Sequence, residues 1–258
     1  MRNSKTLEKL RNNEVALSAQ IGSAYAPFVG IAALAGYDCI WLDAEHKANS
    51  EEQLRECILT ATCCDCDTVV RIRKRGYLDH FRPLEDGATG IMVPHCMSAK
   101  EAAFAVRNSK YYPVGLRGMD FTGLACDYGV IPSQKAVQHA LKNNFTMLQI
   151  EDVEALEELD AIAAVEGVDI LFVGPSDLTQ SAKKAGIYTE KFLDDVYARV
   201  QKIVETKDNL WWGTTVSTLE AAQHVYDYGA RFINLGGDFK LIYEGFPKLV
   251  EAAKKLGK

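Results

Sequence analysis

Short runs of Val, Ile, Leu and aromatic residues recur along the chain, each followed by a stretch whose apolar positions return at helical spacing. The runs cover residues 15–21, 39–42, 68–72, 90–93, 145–150, 170–173, 210–216 and 232–235. Most of them lack polar alternation, the pattern of strands buried on both faces of a parallel sheet. Amphipathic segments at 50–60, 99–106, 154–165, 190–204 and 217–228 predict helices between them. Ser50-Glu51-Glu52-Gln53 has the form of a capping box, which places a helix start there. Strand and helix alternating through 258 residues predict an α/β fold, a single (β/α)8 TIM barrel of eight parallel strands. A doubly wound open sheet is the alternative, but Ile21-Gly22-Ser23-Ala24 offers one glycine where a dinucleotide loop carries several.

No linker or shift of composition divides the chain, so residues 1–258 read as one barrel domain. One connection, from about 108 to 144, is long. It holds Pro113, Gly115, Gly118, Gly123 and Gly129 and then a helix-like stretch at 133–141. Loops of this length are often lids or binding loops. In a barrel this one starts on the side away from the active mouth. Lys254, Lys255 and Lys258 place positive charge at the end of the last helix, where the dipole favours it.

Charge and composition narrow the function. With 29 Lys and Arg against 35 Asp and Glu, the net charge is −6, which disfavours nucleic acid and anionic lipid as partners. No apolar stretch approaches the roughly 20 residues of a membrane span. The start of the chain has no apolar signal-peptide core. These features point to a soluble, cytoplasmic chain. Its seven cysteines are odd in number and the chain is long, so a disulfide framework is not expected. Cys63, Cys64 and Cys66 cluster with Asp65 and Asp67, yet lack the second Cys or His pair of a closed zinc site.

Barrel enzymes take their catalytic groups from the C-terminal ends of strands. Here those ends read Asp43-Ala44-Glu45-His46, Arg71, Gln149-Ile150-Glu151 and Gly174-Pro175-Ser176-Asp177. Charged groups straight after apolar runs call for a partner or a metal. Glu151 and Asp177 follow successive strands, and two close carboxylates repel unless they share a proton or bind a cation. An oxygen-rich pair suits Mg2+ or Mn2+. The competing reading is that each carboxylate caps the following helix. His46 beside Asp43 and Glu45 reads either as a general base or as a hydrogen-bonded structural histidine. Arg71 either holds a carboxylate or developing enolate, or forms a buried ion pair with one of those acids. Arg117 in Gly115-Leu116-Arg117-Gly118 offers a further cation or a surface arginine in a turn. Gly236-Gly237 sits where many barrels cradle phosphate, although Phe239 and Lys240 follow at once.

Six short motifs occur in one order: 41–46, 70–71, 90–94, 115–118, 149–151 and 174–178. Together, across nearly the whole chain from 7 to 245, they resemble the HpcH/HpaI aldolase family of class II pyruvate aldolases. That resemblance implies a (β/α)8 barrel and a metal-dependent lyase that cleaves a 4-hydroxy-2-oxo acid to pyruvate and an aldehyde. It implies that Glu151 and Asp177 bind the divalent metal, that His46 is the base and that Arg71 contacts the pyruvate oxygen. Gly174, Pro175 and Ser176 then hold the pyruvate carboxylate, with Gln149 beside them. The family's aspartate that supports the histidine falls at Glu85 here, so Glu85, Asp86 or Asp43 would take that role.

Other positions depart from the family pattern: Ile72-Arg73-Lys74-Arg75, His95-Cys96, Trp211-Trp212 and the basic segment 178–184. The extra cations point to an acidic aldehyde end. Related reactions, among them oxaloacetate decarboxylation and acyl-CoA lyase chemistry, use the same acid pair, and a non-catalytic binding barrel is a third reading. Family members form hexamers built from dimers with exchanged C-terminal helices, which implies a homo-oligomer.

Overall fold

Eight parallel strands close into a barrel, β1 pairing with β8, in the computed structural model, which describes residues 1–256. They are β1 (Ala16–Ile21), β2 (Cys39–Asp43), β3 (Asp67–Arg71), β4 (Gly90–Val93), β5 (Phe145–Ile150), β6 (Ile170–Val173), β7 (Trp211–Val216) and β8 (Phe232–Gly237). The expected (β/α)8 barrel is therefore the observed fold. The helices are α1 (Lys5–Arg11), α2 (Ala26–Leu34), α3 (Glu51–Cys63), α4 (Tyr77–Glu85), α5 (Ala99–Ser109) and α6 (Ser133–Asn143). After β5 come α7 (Val153–Glu157), α8 (Leu159–Ala163), α9 (Pro175–Ala185), α10 (Phe192–Val204), α11 (Leu219–Asp227) and α12 (Asp238–Ala253). Lys258 lies outside the described residues.

The capping box at Ser50 forms, Ser50 Oγ accepting the Gln53 N–H and the Gln53 side chain accepting the Ser50 N–H. The helix expected over 154–165 is two short helices instead. Glu158 leaves the helical conformation, and its carboxylate accepts the Ala99 N–H at the start of α5, where the helix dipole favours negative charge.

Alternation along each strand sends every second residue into the barrel. Cys39, Trp41, Val69, Met92, Phe145, Met147, Ile170, Phe172 and Phe232 fill the interior, while the outward positions pack beneath the helices. Both faces are buried, and for that reason the strands read as unbroken apolar runs. α1 closes the N-terminal end of the barrel with Leu7 and Leu10. Asp67 ties it there, accepting from Ser4 Oγ at 2.7 Å and from the Thr6 N–H at 2.8 Å.

The long connection stays at that closed end. Leu124 packs over Gly87, and the amino terminus of the chain pairs with Asp127 at 2.8 Å. It leaves the C-terminal mouth uncovered. α12 touches the barrel chiefly through β8 and β1, and Leu241, Tyr243, Phe246 and Leu249 stay exposed along it. Among the described residues no helix is long and apolar enough to cross a membrane.

Candidate active site

The same alternation that packs the core decides what meets at the C-terminal mouth. Asp43 follows Cys39 and Trp41 on the inward face of β2. Arg71 follows Asp67 and Val69 on β3 and lies directly opposite Asp43 in the ladder. Gln149 and Glu151 continue the inward line of Phe145 and Met147, and Gly174 continues that of Ile170 and Phe172. The top layer of the interior is thus polar where the layers below are apolar.

Arg71 is buried and forms a fork with Asp43, Nε to Oδ1 at 3.0 Å and Nη2 to Oδ2 at 2.6 Å. Its Nη1 lies 3.2 Å from Glu45 Oε2, and the guanidinium sits 4.9 Å from the centre of the Trp41 ring. Burial raises the Asp43 carboxyl, but Arg71 and the backbone N–H groups of Glu45 and His46 outweigh it and hold the group below the usual range. Asn49, also buried, donates to Asp43 O and Gly22 O and fixes the loop that carries His46. The His46 ring is 58% exposed, with Nε2 3.5 Å from Glu45 Oε2.

Glu151 is 1% exposed. Its Oε1 accepts the His95 N–H at 2.9 Å, while Oε2 is buried with no hydrogen-bond partner among the described residues. Burial pushes its carboxyl up to about 7, and the nearby Asp177 and Glu45 charges add to the rise. A Cβ at Gly174 would lie 2.6 Å from Glu151 Oε2 and 3.3 Å from Gln149 Nε2, so only glycine lets β6 pass this close. An orphaned buried carboxylate oxygen beside a second carboxylate is a donor set that suits a hard divalent cation. Among the described residues no three His, Cys, Asp or Glu side chains cluster as a ready metal cage. A cation here would draw its other ligands from water or substrate.

A cavity of about 840 Å³ opens over the mouth, lined by Asp43, His46, Arg71, Pro175 and Ser176, with Lys47 and Phe239 on its wall.

Several expectations need correction. Neither Glu151 nor Asp177 caps a helix: α9 starts at Pro175 after Gly174, Asp177 lies in its first turn, and α7 follows Asp152. Glu85 and Asp86 do not support His46 within the chain. They end α4 at the closed end of the barrel, where Glu85 lies near Arg82 and Arg117. Asp43 meets only the His46 backbone N–H, at 3.3 Å, because Arg71 takes its carboxylate. The carboxylate beside the imidazole is Glu45. Arg117 is a buried residue stacked on Tyr111 at 4.6 Å, not a surface turn arginine, and it lies remote from the mouth. Gly236-Gly237 leads into α12 at Asp238, whose carboxylate accepts the N–H groups of Gly22, Ser23 and Phe239, which places a negative charge where a phosphate would sit. Cys63 and Cys64 lie apart in burial from Cys66, whose Sγ donates to Tyr37 O.

His95, which departs from the family pattern in sequence, joins the acids of the site. His95 adopts a left-handed backbone conformation, φ 46°, and its Nδ1 lies 2.8 Å from Asp152 Oδ2. Burial lowers its basicity, but Asp152, Glu151 and Glu45 raise it further, so the net shift is upward. A histidine straight after strand β4 was the available signal.

The model of the HpcH/HpaI aldolase/citrate lyase family matches residues 21–244. The chain belongs to this family. A 5-keto-4-deoxy-D-glucarate aldolase of Salmonella arizonae is 32% identical over 224 residues, covering 86% of each chain. The counterpart from Klebsiella pneumoniae is 30% identical over 227 residues, with 86% of each chain covered. Among solved structures, an HpcH/HpaI aldolase from Desulfitobacterium hafniense superposes with a TM-score of 0.88 at 27% identity, covering 96% of each chain. The citrate synthase SbnG superposes at 0.82 with 28% identity, covering 97% of this chain and 98% of its own. The chain is thus an enzyme of the class II aldolase and lyase type, acting on a small molecule, in a family that is generally dependent on divalent metal.

Proposed function

We propose that this aldolase-family barrel cleaves a 4-hydroxy-2-oxo acid to pyruvate and an aldehyde. The observation that carries the reading is the buried Glu151 oxygen with no partner among the described residues, near Asp177 and near Glu45, which itself meets Arg71 and His46. Glu151 and Asp177 would hold Mg2+ or Mn2+, which when bound supplies Lewis-acid polarisation of the 2-oxo group. The amide of Gln149 and the turn Gly174-Pro175-Ser176 seat the pyruvate carboxylate. His46 takes the proton of the 4-hydroxyl, and the C3–C4 bond breaks. Its electron pair moves to the C2–C3 enolate, and the aldehyde departs. Arg71, held rigid by Asp43, faces the charge that develops on the C2 oxygen. His46 then returns the proton to C3 and pyruvate leaves.

Residues 1–258 act as one domain in this reading, in the cytoplasm. The exposed apolar side of α12 and the neighbouring exposed Ile31 and Leu34 of α2 support a homo-oligomer, a hexamer with exchanged C-terminal helices.

The test is pyruvate release coupled to lactate dehydrogenase across a panel of 4-hydroxy-2-oxo acids with Mg2+, Mn2+ or EDTA. Metal-dependent pyruvate formation is expected. Activity on oxaloacetate alone would make the enzyme a decarboxylase instead. The structural likeness to a citrate synthase favours one second reading, carbon–carbon bond formation between oxaloacetate and an acetyl thioester, whose thiol leaves. It would appear as oxaloacetate consumption without pyruvate when the thioester is supplied.

A further inference from the structure

We propose that the closed end of the barrel carries a second binding site, in which Arg117 receives a small monocarboxylate with an apolar body. This goes beyond the retro-aldol reading and does not depend on it. Arg117 comes from Gly115-Leu116-Arg117-Gly118 in the long connection, a motif that takes no part in the mouth. The backbone fixes this turn. A Cβ at Gly115 would lie 2.4 Å from Lys110 O, so only glycine lets the chain double back there. The N–H groups of Leu116 and Arg117 then bond to Arg107 O and Lys110 O at 2.6 and 2.9 Å. The Arg117 side chain is thereby directed inward, with its guanidinium 4.6 Å from the centre of the Tyr111 ring.

Arg117 is 5% exposed, and its Nε and Nη2 have no hydrogen-bond partner among the described residues. These are the same two atoms through which Arg71 grips Asp43. No carboxylate among the described residues lies within 4.0 Å of Arg117. A buried charge without its pair is costly to the fold, and burial holds the basicity of Arg117 below the ordinary guanidinium range. The residue lines a cavity of about 330 Å³. Because both nitrogens are out of reach of water in this conformation, the side chain turns its fork toward the cavity as a ligand enters.

The surroundings select the ligand. A planar fork of two N–H groups matches a carboxylate. The other donors at the cavity are engaged: Asn143 with His139 O at 3.1 Å, Asn144 with Thr89 O at 3.2 Å, and Arg2 with Asp67. One cation with no second donor takes a single negative charge, and Asp127 on the same wall disfavours a dianion such as phosphate. Leu84, Leu124, Ala136 and Ala140 make much of the remaining wall apolar, which suits the body of the ligand.

The experiment titrates the full chain, in EDTA, with benzoate as the probe and with benzyl alcohol and inorganic phosphate as controls. Binding is read by calorimetry in the wild type, Arg117→Met and Arg117→Lys. The wild type should bind benzoate more tightly than either control. Arg117→Met keeps the length of the side chain and removes its charge. It should weaken benzoate binding about 10- to 100-fold, the range for a hydrogen bond to a charged group, and leave benzyl alcohol unchanged. Arg117→Lys should fall between the two proteins, since a point charge lacks the fork.

A second arm locates the site in the wild type without any substitution, by hydrogen exchange and mass spectrometry, and so stands even where a variant fails to fold. Benzoate should protect amides within 111–128 and 136–144 and leave those of 43–47 and 174–178 unchanged. Neither arm reads turnover, so failure of the cleavage reading leaves both outcomes intact. No benzoate binding, protection confined to the mouth, equal benzoate affinity in wild type and Arg117→Met, or phosphate bound as tightly as benzoate overturns the proposal.

Discussion

At the scale of single residues, Gly174 sets how near β6 comes to the Glu151 carboxylate. Gly174→Ala would put a methyl group 2.6 Å from Glu151 Oε2. It should displace that side chain and cut kcat/KM by about 100-fold, the cost of a misplacement on the order of 1 Å. Overpacking should take no more than about 1–3 kcal/mol from stability, read by thermal melting. Asp43 acts through Arg71. Asp43→Ala leaves a buried guanidinium with Glu45 as its remaining carboxylate, so a stability loss of about 3–5 kcal/mol is expected in urea denaturation. His46, exposed at the mouth, should behave oppositely. His46→Ala should lower kcat by about 10² to 10⁴ with little change in the denaturation midpoint. The site residues on β2, β3, β5 and β6 were legible because a charged residue straight after an apolar run stands out. Glu45, the carboxylate beside the His46 ring, was legible as its sequence neighbour, whereas Glu85, at the place the family resemblance implies, lies at the far end of a helix in space.

At the scale of elements, α4 carries a pH-sensitive contact. His80 is buried, its Nδ1 3.0 Å from Gly76 O, and its ring stands edge-on to Phe104 of α5 at 5.1 Å. Burial holds its basicity below the ordinary histidine range. The unfolded chain then binds the proton more readily than the folded one. This contribution to stability is present above the ordinary pKa of about 6.5 and is lost as pH falls below it. The thermal midpoint should therefore drop more steeply below about pH 6.5 in the wild type than in His80→Asn. Equal slopes would show that the ring takes up its proton without cost. Strand positions were readable at this scale because burial on both faces leaves an unbroken apolar run. The break at Glu158 in the helix expected over 154–165 is not legible from periodicity, which carries no record of a contact as distant in sequence as that of Glu158 with Ala99.

At the scale of the whole molecule, α12 presents Leu241, Tyr243, Phe246 and Leu249 to solvent, beside an apolar groove of about 270 Å³ against α2. A second copy covering this face should give a mass in light scattering that is a multiple of the 28.5 kDa chain. Phe246→Asp combined with Leu249→Asp should shift that mass toward the monomer. A wild-type mass of one chain would remove the oligomer from the proposal. The long connection illustrates the same scale from the other side. Its length marked it as a possible lid, but it folds against α4 and α6 at the closed end and leaves the mouth open.

The sequence by itself determined the barrel, since the count and spacing of apolar runs follow directly from strands buried on both faces. It also determined which strand ends carry charge, since each inward line of side chains ends at a fixed residue. Tertiary structure alone decided the pairings across that rim. Arg71 is locked to Asp43 by ladder register, Glu151 Oε2 is buried behind Gly174 with no hydrogen-bond partner among the described residues, and Lys47 is brought over the Phe239 ring. Which charge meets which depends on distances between strands and loops far apart in the chain, and local pattern carries no record of them.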